Sequence, residues 1–397
     1  MNIAFVHLRD IGNVSGGLEK VMINFANEMN RRGHHVSIVV YDRTEKLPFY
    51  PIEQGVNFIN LAERRCEPVR MPFLKKLSRE WARTWGRKEA WYESYRGPYI
   101  IPSLEEVYKE ICPDVLIVQY FTSIGIVQAS NPPCPVWYMF HGVPENQLSR
   151  ASVNEVAAIS RCSLLQTLTP KYRDLLKKRF PDREVVCVPN IVPQQDEIAN
   201  LGRKKKKYYI INVGRLELSH KRQNLLIRAF ASVAEEFPDW DVHLWGNGKG
   251  KEMLEELIRK LHMKSRIFLC GTTSQVMKEY KTSDLLVFPS VEEGWGLALT
   301  EAMSCGLPAI GYKSCGAVNE IIEDGKNGYL VEDGVEPLAE AMRKLMVNQK
   351  LRVQMGQAAH ESMKKFAPEK VWDTWVNLLK THCKKTEKNK DPINERE

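Results

Sequence analysis

Two series of short apolar runs, separated by amphipathic helical patterns, follow each other along the chain. The runs are continuous in Val, Ile and Leu, which is typical of parallel strands that are buried on both faces. The first series comprises 3–8, 36–41, 115–120, 136–140, 164–168 and 185–188, and the second comprises 208–213, 242–245, 267–269, 285–288 and 309–312. Two such series predict two doubly wound α/β domains.

A change in composition marks the boundary between the two series. A polar stretch follows the last run of the first series, and the basic run 203–207 leads into the next strand. We therefore expect a first domain over 1–195 and a second domain over 203–367, joined by a linker near 192–206.

The carboxyl-terminal region divides into a helix and a tail. Val371, Trp372, Trp375, Val376 and Leu379 form an apolar stripe after Pro368. This stripe predicts a helix over 368–383, which we expect to return to the first domain. The tail, 384–397, is polar and is expected to be disordered.

Length and composition indicate a soluble, two-domain protein. The chain has 397 residues, of which 27% are charged, and 57 Lys and Arg stand against 49 Asp and Glu. The longest apolar runs have strand length, and the amino-terminal residues form a strand pattern without a secretory leader. The nine cysteines are odd in number and include no CxxC pair, so we expect reduced thiols without disulfides or zinc. The expected location is the cytoplasm.

One basic, aromatic segment interrupts the α/β pattern. Residues 62–100 contain ten Lys or Arg and five Glu, and they carry +5 of the formal net charge of +8. Leu77, Trp81 and Trp85 are four residues apart, which is typical of an interfacial membrane helix. One alternative is that the tryptophans pack on the first domain while the arginines are solvated. In another, the segment only caps an acceptor cleft. The residues predicted to contact a membrane or an acceptor are Trp81, Arg83, Trp85 and Arg87.

The strongest chemical signal is a glycine-rich turn between a strand and a helix. Gly294 and Gly296 follow the strand 285–288, and such a turn offers free backbone amides to a phosphate. Glu293 and Glu301 flank it. Because carboxylates repel an anion, their partners should be hydroxyl groups, and a nucleotide sugar carries hydroxyls on both sides of its diphosphate.

A second signal supplies positive charge. Gly214 and Arg215 follow the strand 208–213, and Lys221 comes six residues later. Ligands of doubly wound sheets bind at the carboxyl ends of the strands, where these residues fall. Two cations there would neutralise a leaving diphosphate.

Two weaker signals lie in the first domain. Gly16 and Gly17 stand between the first strand and the first helix, but they do not form the GxGxxG dinucleotide fingerprint. His141 follows the strand 136–140, a position from which a side chain reaches the carboxyl edge of a sheet.

Together these motifs resemble the retaining GT-B glycosyltransferases of family four. The resemblance covers nearly the whole chain and is most specific in the carboxyl-terminal half. Its motifs are Gly214-Arg215-Leu216 with Lys221, Glu293 with Glu301, Gly306-Leu307-Pro308, and the run from Gly325 to Val331. The resemblance implies the GT-B fold, in which two Rossmann-like domains face a cleft.

The resemblance also implies a role for each site residue. Arg215 and Lys221 would hold the donor diphosphate, Glu301 the ribose and Glu293 a sugar hydroxyl, while His141 would contact the sugar near its C6 hydroxyl. The implied catalytic residues are His141, Arg215, Lys221 and Glu293. The implied donor-binding residues are Gly16, Gly17, Gly214, Arg215, Lys221, Cys270, Gly271, Glu293, Gly296, Leu297 and Glu301.

The implied reaction is transfer of a hexose, with retention of configuration, from a nucleoside diphosphate sugar, with UDP ahead of GDP. The expected acceptor is a glycan or a lipid-linked glycan in surface polysaccharide or lipopolysaccharide synthesis, on the inner face of the membrane. Alternatives are transfer to a small soluble acceptor and a non-catalytic nucleotide-sugar sensor. No cofactor, metal or nucleic acid is expected, and Asp239-Trp240-Asp241 is interpreted as a chance match to a metal motif.

Overall fold

The chain forms two α/β units, each built on one parallel sheet. The computed structural model describes residues 1–64, 73–84 and 88–383, without the side chains of 83–84, 88–90 and 92–93. The predicted tail 384–397 therefore lies outside the described residues. The first unit contains Met1–Val188 and the residues from Trp372 onward, and the second unit is Pro189–Val371.

The sheet of the first unit has seven parallel strands in the order β3-β2-β1-β4-β5-β6-β7. Its strands are β1 (Asn2–His7), β2 (His35–Val40), β3 (Asn57–Asn60), β4 (Val115–Val118), β5 (Val136–Met139), β6 (Leu164–Thr167) and β7 (Glu184–Cys187). The sheet of the second unit has six parallel strands in the order β10-β9-β8-β11-β12-β13. These are β8 (Tyr208–Val213), β9 (Trp240–Trp245), β10 (Ile267–Gly271), β11 (Leu285–Phe288), β12 (Ala309–Tyr312) and β13 (Gly328–Val331).

Helices connect the strands and cover both sheets. In the first unit they are α1 (Gly17–Arg31), α2 (Phe73–Thr84), α3 (Lys88–Ile111), α4 (Phe121–Ala129), α5 (Pro144–Arg150), α6 (Val153–Ser160) and α7 (Pro170–Arg179). Then follow α8 (Gln223–Val233), α9 (Lys251–Lys260), α10 (Val276–Thr282), α11 (Leu297–Ser304), α12 (Val318–Ile321), α13 (Val335–Val347), α14 (Gln349–Met363) and α15 (Pro368–Cys383). Short 3-10 turns lie at Leu61–Glu63 and Lys364–Phe366.

The predicted α/β architecture is confirmed, and each of the eleven predicted strands is present. The sequence reading missed two strands, β3 and β13. Each lies at an edge of its sheet and has four residues, and both include half-buried positions. An edge strand has a neighbouring strand on one side only and is therefore less buried. It does not need the continuous apolar run that identifies a central strand.

The chain passes from the first unit to the second at Val188–Pro189, which is before the expected linker. The Val192 amide donates a hydrogen bond to the Phe366 carbonyl (2.9 Å), and the Ala199 amide donates to the Cys305 carbonyl (2.8 Å). The polar stretch after β7 is therefore held by backbone hydrogen bonds to the second unit, and residues 189–195 belong there and not to the first domain.

The last helix, α15, leaves the second unit and packs on α1 of the first. Trp372 and Trp375 both contact the Phe25 ring edge to face, with centroids 5.6 Å and 5.0 Å away. Arg32 of the α1 carboxyl-terminal cap forms an ion pair with Asp373 (2.8 Å). The apolar stripe that predicts the helix is thus the face that is buried against the first unit.

None of the eight described cysteines forms a disulfide bond. Among the described residues, no helix combines the length and the apolar character that crossing a bilayer requires.

The carboxyl ends of β8, β9 and β10 are packed backbone against backbone. The Gly246 amide donates a hydrogen bond to the Gly271 carbonyl (2.6 Å), and the Gly214 amide donates to the Trp245 carbonyl (3.0 Å). Gly246 has φ +140°, and a Cβ there would lie 1.9 Å from the Gly214 carbonyl oxygen. Only glycine fits between these loops, so they form a rigid floor along this edge of the sheet.

Replacing Gly246 should therefore be far more destabilising than replacing a glycine that also has a positive φ but has open space at its Cβ position. Gly325 has φ +76° and no atom within 4 Å of the Cβ position, so Gly325→Ala should cost only the backbone term of about 1–2 kcal/mol. Gly246→Ala adds a collision and should cost at least about 3 kcal/mol. Thermal unfolding of the two variants measures the difference, and equal melting temperatures would contradict the packing argument.

Candidate functional site

The site residues of the second unit lie where the strand order reverses. β8 continues to β9 on one side and neighbours β11 on the other, so helices leave in opposite directions from this point. Such a reversal leaves an opening at the carboxyl edge of the sheet, where ligands of doubly wound sheets bind. The loop after β8 carries Gly214, Arg215 and Lys221, and the loop after β11 carries Glu293 and Gly296.

Lys221 and Glu293 form an ion pair across this opening. The Lys221 ammonium donates a hydrogen bond to Glu293 Oε1, and both side chains are largely buried. The Lys221 stem passes over Gly214, since the Cβ position of that glycine is 3.7 Å from Lys221 Cε, and the ammonium lies 5.6 Å from the Phe288 ring centre. The structure thus brings together two residues that the sequence assigned to separate parts of the donor.

A tight turn holds Lys221 in this position. The Glu217 carbonyl accepts hydrogen bonds from the amides of Lys221 (3.1 Å) and Arg222 (3.2 Å). Gln223, which is fully buried, donates to the Arg215 carbonyl (2.9 Å) and accepts from the Glu217 amide (3.3 Å). The Gln223 side chain therefore closes the loop on itself and presents its two cations from one rigid turn.

A contact between the two loops strengthens the arrangement. The Val291 amide donates to the His220 carbonyl (3.0 Å), and His220 Nε2 is 3.7 Å from Glu292 Oε2. On its other side, His220 Nδ1 lies 3.3 Å from the Glu217 carboxylate. The residue before Lys221 is thus attached to the residue before Glu293.

Arg215 is the exposed cation of the site. It follows Gly214 directly, and within the described part of the chain its guanidinium forms no ion pair. The side chain is therefore available to an anion that comes to the carboxyl edge of β8.

The turn before α11 has the geometry of an anion site. Gly296 is the N-cap of α11 and has φ +85°, a left-handed conformation that favours glycine. The first amides of the helix, beginning at Leu297, are covered by no N-cap side chain because Gly296 has none. Glu301 lies one turn further along α11 and is buried.

Cys270 and Gly271 end β10, two strands away from β8. Burial is the first cause that raises the pKa of the Cys270 thiol, to about 11, and the nearby Glu279 charge is the second. The thiol is therefore protonated at neutral pH and behaves as a small polarizable surface. Gly271 has open space at its Cβ position, and its carbonyl accepts the Gly246 amide.

In the first unit, Gly16 and Gly17 lie at the start of α1, beside the buried side chains of Glu19 and His7. A Cβ at Gly16 would lie 2.0 Å from a Glu19 carboxylate oxygen, so a side chain there would displace that carboxylate. Glu19 in turn lies 3.9 Å from Nε2 of His7, the last residue of β1. Burial lowers the pKa of His7 to about 4, and the nearby Arg9 charge adds to that effect.

His141 follows β5 at the carboxyl edge of the first sheet. Its Nε2 is buried without a hydrogen-bond partner in the described part of the chain. Burial lowers the pKa of His141 to about 4, so the ring is neutral at physiological pH. A neutral ring nitrogen is suited to exchanging one hydrogen bond with a hydroxyl group.

Asp241 is a structural residue. Its Oδ1 accepts hydrogen bonds from Lys207 (3.1 Å) and Arg266 (2.8 Å), so the carboxylate joins two cations near the amino-terminal end of β9. Across the described residues, no three His, Cys, Asp or Glu side chains are grouped as metal ligands.

The aromatic segment divides into an inner and an outer part. Trp91 stacks on Tyr95 with centroids 5.0 Å apart, and Tyr95 is buried, as the packing alternative expects. Trp81 is exposed instead. Of the other predicted contact residues, Trp85 and Arg87 lie outside the described residues, and for Arg83 only the backbone is described.

The sequence reading missed three parts of the site. These are Gln223, which closes the Lys221 turn, Cys315, and the loop Gly246-Asn247-Gly248-Lys249-Gly250 after β9. Burial raises the pKa of Cys315 to about 12, and the nearby Glu293 charge adds to that effect. Three glycines in five residues after a strand are a readable signal for the loop, whereas nothing local distinguishes Gln223 or Cys315.

Two family models match consecutive parts of the chain. The model described as Glycosyltransferase Family 4 matches residues 15–195, and the model described as Glycosyl transferases group 1 matches residues 193–362. An uncharacterized glycosyltransferase of Haemophilus influenzae is 26% identical over 375 residues, covering 92% of this chain and 96% of the relative.

Solved structures share the arrangement of elements. S. aureus TarM, in a complex with fondaparinux, alpha-GlcNAc-glycerol and UDP, aligns with a TM-score of 0.75 at 16% identity, over 95% of this chain and 99% of TarM. The lipopolysaccharide outer core galactosyltransferase WaaB aligns with a TM-score of 0.69 at 19% identity, over 96% of this chain and 99% of WaaB. At these identities the likeness shows the fold.

The buried histidine of β1 predicts how stability depends on pH. A group whose folded pKa is about 4 and whose unfolded pKa is near 6.5 binds its proton more readily in the unfolded chain, so stability falls as pH drops through that window. Lowering the pH from about 7.5 to about 5 should cost about 2 kcal/mol through His7. His7→Gln should remove that part of the slope in chemical unfolding, while His35→Gln, at an exposed position, should leave the slope unchanged. A similar effect of both substitutions would refute the assignment.

Proposed function

The chain belongs to the family-four GT-B glycosyltransferases, and on that premise we propose that it transfers a hexose from a nucleoside diphosphate sugar to a glycan or lipid-linked acceptor. The proposed donor nucleotide is UDP ahead of GDP. We further propose that the transfer retains the anomeric configuration and needs no metal bound by the protein.

One observation supports the proposal above all, the Lys221–Glu293 pair at the point where the strand order reverses. An ammonium group has three N–H donors, and Glu293 accepts one of them. The other two are suited to diphosphate oxygens, while Glu293 keeps acceptor capacity for a sugar hydroxyl. The pair therefore offers adjacent binding groups to two adjacent parts of a nucleotide sugar.

In the proposed reaction, the protein acts by stabilising the charge that develops on the leaving group. The bond between C1 of the sugar and the phosphate oxygen breaks, and its electron pair remains on the departing diphosphate. The acceptor oxygen bonds to C1 on the same face, and its proton passes to that phosphate. Lys221, Arg215 and the first amides of α11 then stabilise the developing negative charge, which takes the place of a metal or a protein nucleophile.

The remaining predicted contacts keep the roles that the family resemblance implies. Glu301 is proposed for the ribose hydroxyls, and Cys270 with Gly271 for the base. Gly16, Gly17 and His141, in the first unit, are proposed for the diphosphate and for the sugar. The neutral state of His141 suits a hydrogen bond to a hydroxyl group.

Two comparisons support the finer choices. The TarM structure contains UDP, which favours a uridine nucleotide, and WaaB acts in the lipopolysaccharide outer core, which favours a glycan acceptor at the cell surface. Transfer to a small soluble acceptor is the second candidate, and a sensor without turnover is the third.

Calorimetric titration with UDP, GDP, ADP and their hexose conjugates, with and without Mg²⁺, tests the donor assignment. We expect UDP and a UDP-hexose to bind in the micromolar range, with no dependence on Mg²⁺. Binding of none of these nucleotides would contradict the transferase proposal, and preference for GDP would correct its donor.

Removing the charge of Lys221 tests its role in turnover. Lys221→Ala should lower the rate of transfer by a hundredfold or more, because one charge contact to the leaving group contributes about 3 kcal/mol in the transition state. Lys260→Ala, which breaks the exposed pair with Glu256 (3.3 Å), is the matched control and should keep full activity. The rate is measured as release of nucleoside diphosphate in separate reactions with soluble glycans, lipid-linked glycans and small acceptors. Full activity of Lys221→Ala would refute the assigned role, and donor binding without turnover on any acceptor would favour the sensor.

A further inference from the structure

Helix α2 exposes an apolar face. Phe73, Leu74, Leu77 and Trp81 are 73%, 77%, 54% and 67% exposed. At about 100° per residue, the four side chains fall within a sector of about 100° on one side of the helix. They therefore form one continuous surface, which we call the α2 face.

The other side of α2 packs on α3. Ala82 is buried, and the Ser78 hydroxyl accepts a hydrogen bond from the Trp91 indole N–H (3.0 Å). Trp91 is a residue of α3 and stacks on the buried Tyr95. An amphipathic helix of a globular protein normally buries its apolar stripe. α2 does the opposite, since it uses small residues toward the protein and directs its large apolar residues outward.

One cation lies at the edge of the α2 face. Lys76 is exposed about 60° around the helix from Phe73, whereas Lys75 and Arg79, which pairs with Glu80, project from the side opposite the α2 face. Over Phe73–Thr84 the sequence has four Lys or Arg and one Glu, so the helix carries a net charge of +3. Large apolar side chains next to flexible cations are the composition of helices that lie in the headgroup region of a bilayer.

We propose that the α2 face docks this protein on an anionic lipid bilayer. The apolar side chains would enter the boundary between headgroups and acyl chains, and Lys76, at the edge of the face, would meet lipid phosphates. A helix of twelve residues is about 18 Å long. The area of one face of such a helix is far smaller than the area that each partner buries in a stable protein interface, which is about 800 Å². A lipid surface needs no complementary groove, and its negative charge attracts the net positive charge of α2.

Membrane docking would bring the enzyme to a lipid-linked acceptor, which is one form of the proposed function. The docking proposal rests on that function only for the purpose that docking serves in the cell. Vesicle binding is measured without donor or acceptor. The docking proposal and the transferase proposal can therefore fail separately.

Flotation of the full chain with vesicles tests the proposal. We expect binding to vesicles of phosphatidylcholine with phosphatidylglycerol to be at least tenfold stronger than binding to pure phosphatidylcholine, and to weaken with salt. The double variant Leu77→Ser with Trp81→Ser should bind at least tenfold more weakly. Lys76→Gln should weaken binding about fivefold, the value expected for one cation at an anionic surface.

Val347→Ser is the matched control, since Val347 is 73% exposed on a helix of the second unit and should not affect vesicle binding. Far-ultraviolet circular dichroism and nucleotide titration of each variant verify that it is folded. Undiminished binding by the double variant would overturn the proposal. The proposal would also be overturned if the wild-type chain formed a dimer without vesicles and the double variant were a monomer. The α2 face would then join two copies of the chain.

Discussion

The reversal of strand order between β8 and β11 is the constraint on which the second unit's site depends. Because crossover connections leave these two neighbouring strands in opposite directions, no connection covers their carboxyl ends. The loops that start there can then meet each other over an opening. The backbone packing of Gly214, Gly246 and Gly271 fixes the floor beside that opening, so the side chains of the two loops are held by rigid elements.

The Lys221–Glu293 pair shows how this constraint becomes chemistry. An exposed ion pair contributes little to stability, but a largely buried pair at the edge of an opening keeps two opposite charges in a defined position. Gln223 and the contact between His220 and Val291 restrict the loops around it. The pair is thus pre-organised, and in the proposed function the diphosphate would meet a cation whose side chain Glu293 already holds in place.

The first unit combines a buried edge with an exposed helix. At the carboxyl edge of its sheet, burial lowers the pKa of His7 and of His141 to about 4, so both rings are neutral at physiological pH. Outside the sheet, α2 turns its large apolar residues away from the protein. On the two proposals above, the same unit would contact the hydroxyl groups of a glycan and a lipid surface, and a lipid-linked glycan contains both chemistries.

The sequence by itself determined the central strands and the loops that carry the chemistry, because burial on both faces requires continuous apolar runs whose ends can be read directly. It also placed Arg215, Lys221 and Glu293 at the carboxyl edge of one sheet. Only the tertiary structure decided that Lys221 pairs with Glu293, 72 residues away, since strand order is not encoded in local periodicity. The edge strands β3 and β13, the packing of 189–195 on the second unit and the outward face of α2 were likewise decided by packing. In each case the pattern of residues is local, whereas the residues that cover a face, or fail to cover it, come from a distant part of the chain.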